Sequence, residues 1–209
     1  MGKRALVLLF TATFLASCKS PAEKPSSATP VESATPQYTD PPTVDVGLTV
    51  EQAYAAIPHR RTIWVESESS VPAEERAYLK AIFQVMDQAI AVRVAGLQNF
   101  SSQRFDDANI DGQFEQLITF VRAMPVPKPL ASYHQEILDA LSSQRQFFVD
   151  WKAARDRFAF ARQVANHPAV QRASADLRAG YGELMSRYPQ ETQTNKDAFF
   201  DYHCALDFL

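Results

Sequence analysis

The 209-residue chain has little cysteine, little glycine and no second long apolar run, and each shortage removes a class of function. Cys18 and Cys204 are its two cysteines, so Cys204 is the only thiol of residues 19–209. No intramolecular disulfide can form there, even in an oxidising compartment. Cys204 is then a buried side chain, an inter-chain partner or an oxidisable group, and burial is the expectation. Beyond the N-terminus no apolar stretch approaches the roughly twenty residues a membrane-spanning helix needs. The chain contains no C-x-x-C-H for covalent haem, no H-E-x-x-H for zinc peptidase chemistry and no E-x-x-H for a di-metal carboxylate bundle. It also lacks a G-x-S-x-G elbow and a phosphate-binding P-loop, so enzyme readings lose their usual support. Basic excess is missing too, with 21 Lys and Arg against 24 Asp and Glu. Nucleic acid is therefore not an expected partner.

What is present begins at residues 1–18, MGKRALVLLFTATFLASC. Lys3 and Arg4 form a short positive region ahead of an apolar run, residues 5–14, that is too short to span a bilayer. This is the pattern of an export signal. Leu15, Ala16, Ser17 and Cys18 resemble the lipobox of bacterial lipoproteins. The resemblance implies that residues 1–17 are removed, that the Cys18 thiol takes a diacylglycerol, and that its new amino group is acylated, as with palmitate. Lys19 stands where the inner-membrane retention signal of that class places Asp. The implied address in a Gram-negative host is the outer membrane, facing the periplasm. Two or three acyl chains anchor firmly, since each buried methylene contributes about 0.8 kcal/mol. Loss of Lys3 and Arg4 leaves 19 basic against 24 acidic residues, a formal charge of -5.

Residues 18–47 join the lipidated cysteine to a stretch rich in Pro, Ser, Thr and Ala, with few large apolar side chains. Such a stretch cannot bury enough to fold, and its reading is a flexible tether spanning on the order of 30 Å. Residues 48–209 are enough for one domain with its own core.

Within that domain every strong periodicity is helical. Thr49 with Gln52 forms a capping box for a short helix that Pro58 ends. Residues 59–65, HRRTIWV, prefer an extended backbone, but no second strand-like run exists to pair with them, so they should lie along helices with Ile63 and Trp64 packed inward. Pro72 suits a helix first turn, followed by Leu79, Ile82, Phe83, Met86, Ile90, Val94 and Leu97 on one face. Phe114, Leu117, Ile118 and Val121 mark a shorter helix ending before Pro125. Residues 131–167 contain neither Gly nor Pro, which predicts one continuous or gently bent helix over about 130–165, roughly 54 Å long. Pro168 opens another helix, weakened near its end by Gly180 and Gly182, and Asn195 is the expected cap of a last one. The fold class is all-α, a helical bundle of five or six helices with three of them long.

Three constellations could carry function. Asp107, Asn109 and Asp111, followed by Gly112, have the D-x-N-x-D-G opening of an EF-hand calcium loop, whose alternate oxygens converge on a hard cation. The twelfth position, normally a bidentate Glu, is Ile118, and the fourth is β-branched Ile110. The competing reading is an Asx-rich turn in which Asn109 or Asp111 caps the next helix. Calcium is the cofactor this opening raises, beside a noncovalent haem held between a histidine and Met86. Second, His59, Arg60, Arg61 and Trp64 could hold a phosphate or carboxylate, or could pair with acidic groups of the bundle. Third, His203 and Cys204 are metal-ligand types, but neighbours on a helix diverge by about 100°, and the surrounding aromatics make this a docking helix. His134 reads as a satisfied, partly buried side chain and His167 as a helix-end residue.

The functional expectation is a lipid-anchored envelope protein whose helical domain acts as a binding or scaffold module. Its partners are the membrane, through its lipid, and an envelope protein or glycan. Carriage of a metal or small ligand within the bundle is a second reading, and an envelope enzyme built on His59, Arg60 and Arg61 a third. Convergence of those residues and His203 on one pocket would favour catalysis or carriage.

Overall fold

The computed structural model describes residues 37–102, 104 and 109–208. The export signal, the lipobox and Asp107 lie outside the described residues. Seven α-helices and no strand occur among them: α1 (Val50–Ala55), α2 (Ala73–Ser101), α3 (Ile110–Ala123), α4 (Ala131–Ala153), α5 (Arg157–Ala161), α6 (Pro168–Arg187) and α7 (Gln193–Leu206). The three long helices are α2, α4 and α6, of 29, 23 and 20 residues. None of the described helices is long and apolar enough to cross a membrane.

Helix α2 packs on α3, α3 on α4, α4 on α6, α6 on α7, and α7 back on α2, so five helices close a ring, with α1 laid against α2. The apolar stripes read from the sequence turn inward: Leu79, Ile82, Met86 and Ile90 of α2 are fully buried, as are Leu117 of α3, Leu141 of α4 and Leu184 of α6. At one end Tyr78 of α2 meets His134 and lies beside fully buried Tyr133 of α4. At the other, Phe100 meets Phe148 and Trp151 at 5.5 and 5.0 Å between ring centroids. The 22 residue steps from Tyr78 to Phe100 put about 33 Å between these ends. Gly96 lets α2 and α4 approach, because a Cβ there would fall 2.6 Å from Cε1 of Phe148.

Local signals behave as chemistry dictates. The Thr49 hydroxyl accepts from Gln52 N and the Gln52 side chain accepts from Thr49 N, completing the capping box. Glu74 and Glu75 occupy the first turn of α2 directly after Pro72. At α7 the cap is Thr192, whose side chain accepts from Asn195 N. The expected cap, Asn195, sits three residues further in, with its side chain drawn to Val65.

Two further expectations are corrected. The continuous helix over 130–165 stops at Ala153, because Ala154 adopts extended torsions and Asp156 caps a new short helix through Ala159 N. Neighbouring α2 ends at Ser101, so a straight continuation would carry Phe158 and Phe160 past the end of the ring. Folding back lays Phe160 on Phe147 and Trp151 instead, and the Trp151 indole donates to Arg157 O at 3.0 Å. Burial of the aromatic face outweighs helix continuity.

The body also starts earlier than residue 48. Val44 and Val46 are buried, Tyr38 packs edge-on against Tyr78, and its hydroxyl donates to Pro125 O. The amides of Val44 and Asp45 donate to Gln88 and Gln113 side chains. Valine side chains in a Pro-rich stretch thus find a groove beside α2 and α3.

Candidate functional site

Residues 59–65 run extended across α2 and α7, as a strap. Extended backbone alternates its side chains, and here Trp64 turns in against Phe83 while Ile63 turns out, 61% exposed. The expectation that both would pack is therefore half right. Asp201 on α7, 3% exposed, holds the strap through Arg60 Nε at 3.2 Å and Thr62 N at 3.0 Å. His59 Nε2 lies 3.5 Å from its other oxygen. Arg60 also reaches Asp197, and Arg61 reaches Asp87 at 2.8 Å and Glu51 at 3.6 Å while lying over the Tyr54 ring. Asn195 exchanges two hydrogen bonds with the backbone of Val65, and Glu191 accepts from Ser69 and Ser70. Burial raises the Glu191 carboxyl, but the donors from Ser69, Thr192, Asn195 and Ser70 outweigh it and hold the group below the usual carboxylate range. Two guanidinium groups thus face four carboxylates, and the segment's polar groups are directed at the protein's own helices.

His203 is buried in α7, with Nδ1 2.6 Å from Phe199 O and the ring against Tyr133 and Tyr181. Because the carbonyl can only accept, Nδ1 carries the proton. Its Nε2 has no hydrogen-bond partner among the described residues, and burial pulls the imidazole down to about 4. Cys204 is half-buried, and burial followed by the charges of Asp207 and Asp201 pushes its thiol up. His203 and Cys204 border a hollow of about 60 Å³ with Leu177 and Tyr181. His59, Arg60 and Arg61 do not line it, so the candidate residues do not converge on one pocket.

At the start of α3, Asn109 takes the capping role: its side chain accepts from Gly112 N at 3.1 Å. Asp111 pairs with Arg145 of α4. Both oxygen side chains have partners within the fold, and no group of three His, Cys, Asp or Glu residues able to hold a metal gathers among the described residues. His134 shares a hydrogen bond with Tyr78 at 2.9 Å, and His167 caps α6 by accepting from Ala169 N.

Two features escape the sequence reading. Arg93, 5% exposed, donates to Ala205 O at 2.6 Å and lies over the Phe208 ring, while Gln144 donates to Leu206 O at 2.6 Å. Both satisfy carbonyls at the negative end of α7. Burial draws the Arg93 guanidinium down to about 10, against the pull of Asp207. The second feature is the elbow where α4 gives way to α5. Phe100, Trp151, Ala154, Arg155, Phe158 and Ala161 line an open, aromatic-rich recess of about 570 Å³ there. Phe158 is 59% exposed. The sequence signals for it were Asp156 as a helix cap and the run of cations around Phe158, which only the broken helix gathers.

Compared with protein families, with curated proteins and with solved structures, the chain matches none of them, so the account of this site rests on its geometry.

Proposed function

We propose that this protein is a lipid-anchored binding module of the cell envelope, held through Cys18 and making its contacts at the α4–α5 elbow. One observation carries the reading: the elbow presents an open recess lined by aromatic rings, whereas the other basic and aromatic segment is turned onto the protein's own carboxylates. Anchoring rests on the lipobox resemblance of residues 15–18.

Position supports the same reading. Nineteen residues separate Cys18 from Tyr38 in the sequence. Tyr38 is fixed at the Pro125 end of the ring, and the elbow lies about 33 Å along α2 from that end. Confinement near the surface raises the effective concentration for weak contacts. Carriage of a small ligand, the second class of function raised by the sequence, draws on the same recess.

Two measurements test the proposal. Cys18→Ser should move the protein from the membrane fraction to the aqueous one; a fully processed protein that stays with membranes overturns the anchor. In the lipidated protein, a photo-crosslinking residue at Phe158 should give a discrete adduct in intact cells and one at equally exposed Ile63 should not. Equal adducts, or none at Phe158, overturn the elbow as the contact site.

A further inference from the structure

We propose that the elbow recess takes the apolar tail of an anionic amphiphile, a long-chain carboxylate or an acyl chain bearing a phosphate, with Arg155 meeting the head group. The inference deepens the binding-module reading and rests on it.

The recess has two chemistries in one place. The rings of Phe100, Trp151 and Phe158 and the methyl groups of Ala154 and Ala161 form its apolar part, while Ser101, Arg155, Asp156 and Arg157 complete the lining. Its volume of about 570 Å³ falls within the roughly 300–1,000 Å³ of small-molecule sites. An aromatic wall of this kind removes hydrocarbon from water.

Charge supplies the second chemistry and chooses among apolar ligands. Residues 151–162, WKAARDRFAFAR, hold four basic groups and one acidic one, a local charge of +3 in a chain whose total is -3. The remainder of the chain therefore carries -6, and since Lys152 and Arg157 have contacts of their own, Arg155 is the cation that the recess offers. Arg155, on the recess wall, and Arg162, one residue past α5, are exposed and make no ion pair among the described residues. The one carboxylate in the run, Asp156, has an oxygen committed to Ala159 N at 2.8 Å as the cap of α5. A cationic amphiphile would be repelled and a neutral one would leave Arg155 without a partner. An anionic one matches both the wall and the rim.

The strap offers the contrasting case within the same chain. There Arg60 and Arg61 are answered by Asp201, Asp197, Asp87 and Glu51, and an arriving anion would have to displace them.

The test uses the full chain carrying Cys18→Ser, which removes its own acyl groups, together with Trp64→Phe, which leaves Trp151 as the single indole. Laurate, dodecyl phosphate, dodecyl maltoside and dodecyltrimethylammonium are titrated below their micelle thresholds while Trp151 emission is followed. Saturable shifts with laurate or dodecyl phosphate, and at least fivefold weaker ones with the neutral and cationic detergents, are the expected result. Arg155→Gln should weaken the anionic ligands about fivefold to tenfold and leave dodecyl maltoside unchanged. Phe158→Asp, at an exposed position, should abolish the shift with unchanged circular dichroism. The relative strength of laurate and dodecyl phosphate tells a free fatty acid from a phosphate-headed lipid as the source. No saturable shift, equal response to the cationic detergent, or association only with anionic phosphatidylglycerol vesicles without change at Trp151 overturns the proposal. The Cys18→Ser fractionation and the Phe158 crosslink stand or fall separately, so failure here is distinguishable from failure of the binding-module reading.

Discussion

The strap and the elbow begin as near twins in sequence and end as opposites in structure. Each sets arginines beside aromatic residues, HRRTIW at 59–64 and RDRFAF at 155–160. In the strap, carboxylates from α1, α2 and α7 meet the cations and Trp64 is buried on Phe83. In the elbow, Asp156 caps a helix, Arg155 is exposed with no ion pair among the described residues, and Phe158 faces solvent. A basic aromatic run is thus an open surface or a fastening depending on what lies opposite, and opposite residues come from distant parts of the chain.

The contrast is broken most forcefully at Trp64. Removing this buried indole by Trp64→Ala should cost about 3–5 kcal/mol in chemical denaturation, whereas Phe158→Ala should stay within about 0.5 kcal/mol. Similar losses at the two sites would erase the distinction between fastening and surface.

Acid should loosen the strap's side of the molecule through α7. The His203 imidazole falls from an ordinary 6.5 to about 4 by burial, so the unfolded chain takes up its proton first. Stability is complete above about pH 6.5 and declines as pH falls toward 4, by about 3 kcal/mol in all. The measurement is the difference in unfolding free energy between wild type and His203→Gln at pH 7.5 and 4.5. Taking the difference leaves the contribution of His134, also lowered by burial, in both proteins. An unchanged pH dependence in His203→Gln would contradict the assignment. Glu191, held low by its donors, adds its own loss only below its unfolded value of about 4.5.

A smaller effect belongs to Asp201. Asp201→Asn keeps the volume but removes the charge that Arg60 and the Thr62 amide use, and should cost about 2 kcal/mol by thermal or urea denaturation. Faster amide exchange at Thr62 and Val65 should accompany it. The smallest effect is expected at the elbow itself, where Arg155→Gln should change stability by less than about 0.5 kcal/mol. A large loss there would mark Arg155 as part of the fold.

Much of the fold was legible. The Thr49 and Gln52 capping box, the Pro72 start of α2, the inward stripes and the three long helices follow from side-chain spacing and from which residues can satisfy a helix end. The break after Ala153 was not, because neither Gly nor Pro marks it. The signal was Asp156, an ordinary cap residue that becomes a cap only where the ring of helices ends. Asn195 resembles a cap for the same local reason and serves the strap instead. The early start of the body at Tyr38 was hidden by the prolines around Val44 and Val46.

The candidate sites show the same division. Asn109 as cap and the partly buried His134 and helix-end His167 could be read from neighbours along the chain. Arg93 could not, since its partners are the carbonyl of Ala205, 112 positions away, and the Phe208 ring.

By itself the sequence determined the helical class, the buried faces and most helix ends, because those depend on interactions spanning three or four residues. Only the tertiary structure decided which cations are neutralised and which stay open. Arg60 and Asp201 stand 141 positions apart, and a charge pair at that separation exists only once the helices have packed. The elbow recess likewise formed where α4 outran its neighbours and turned back to cover its own aromatic face.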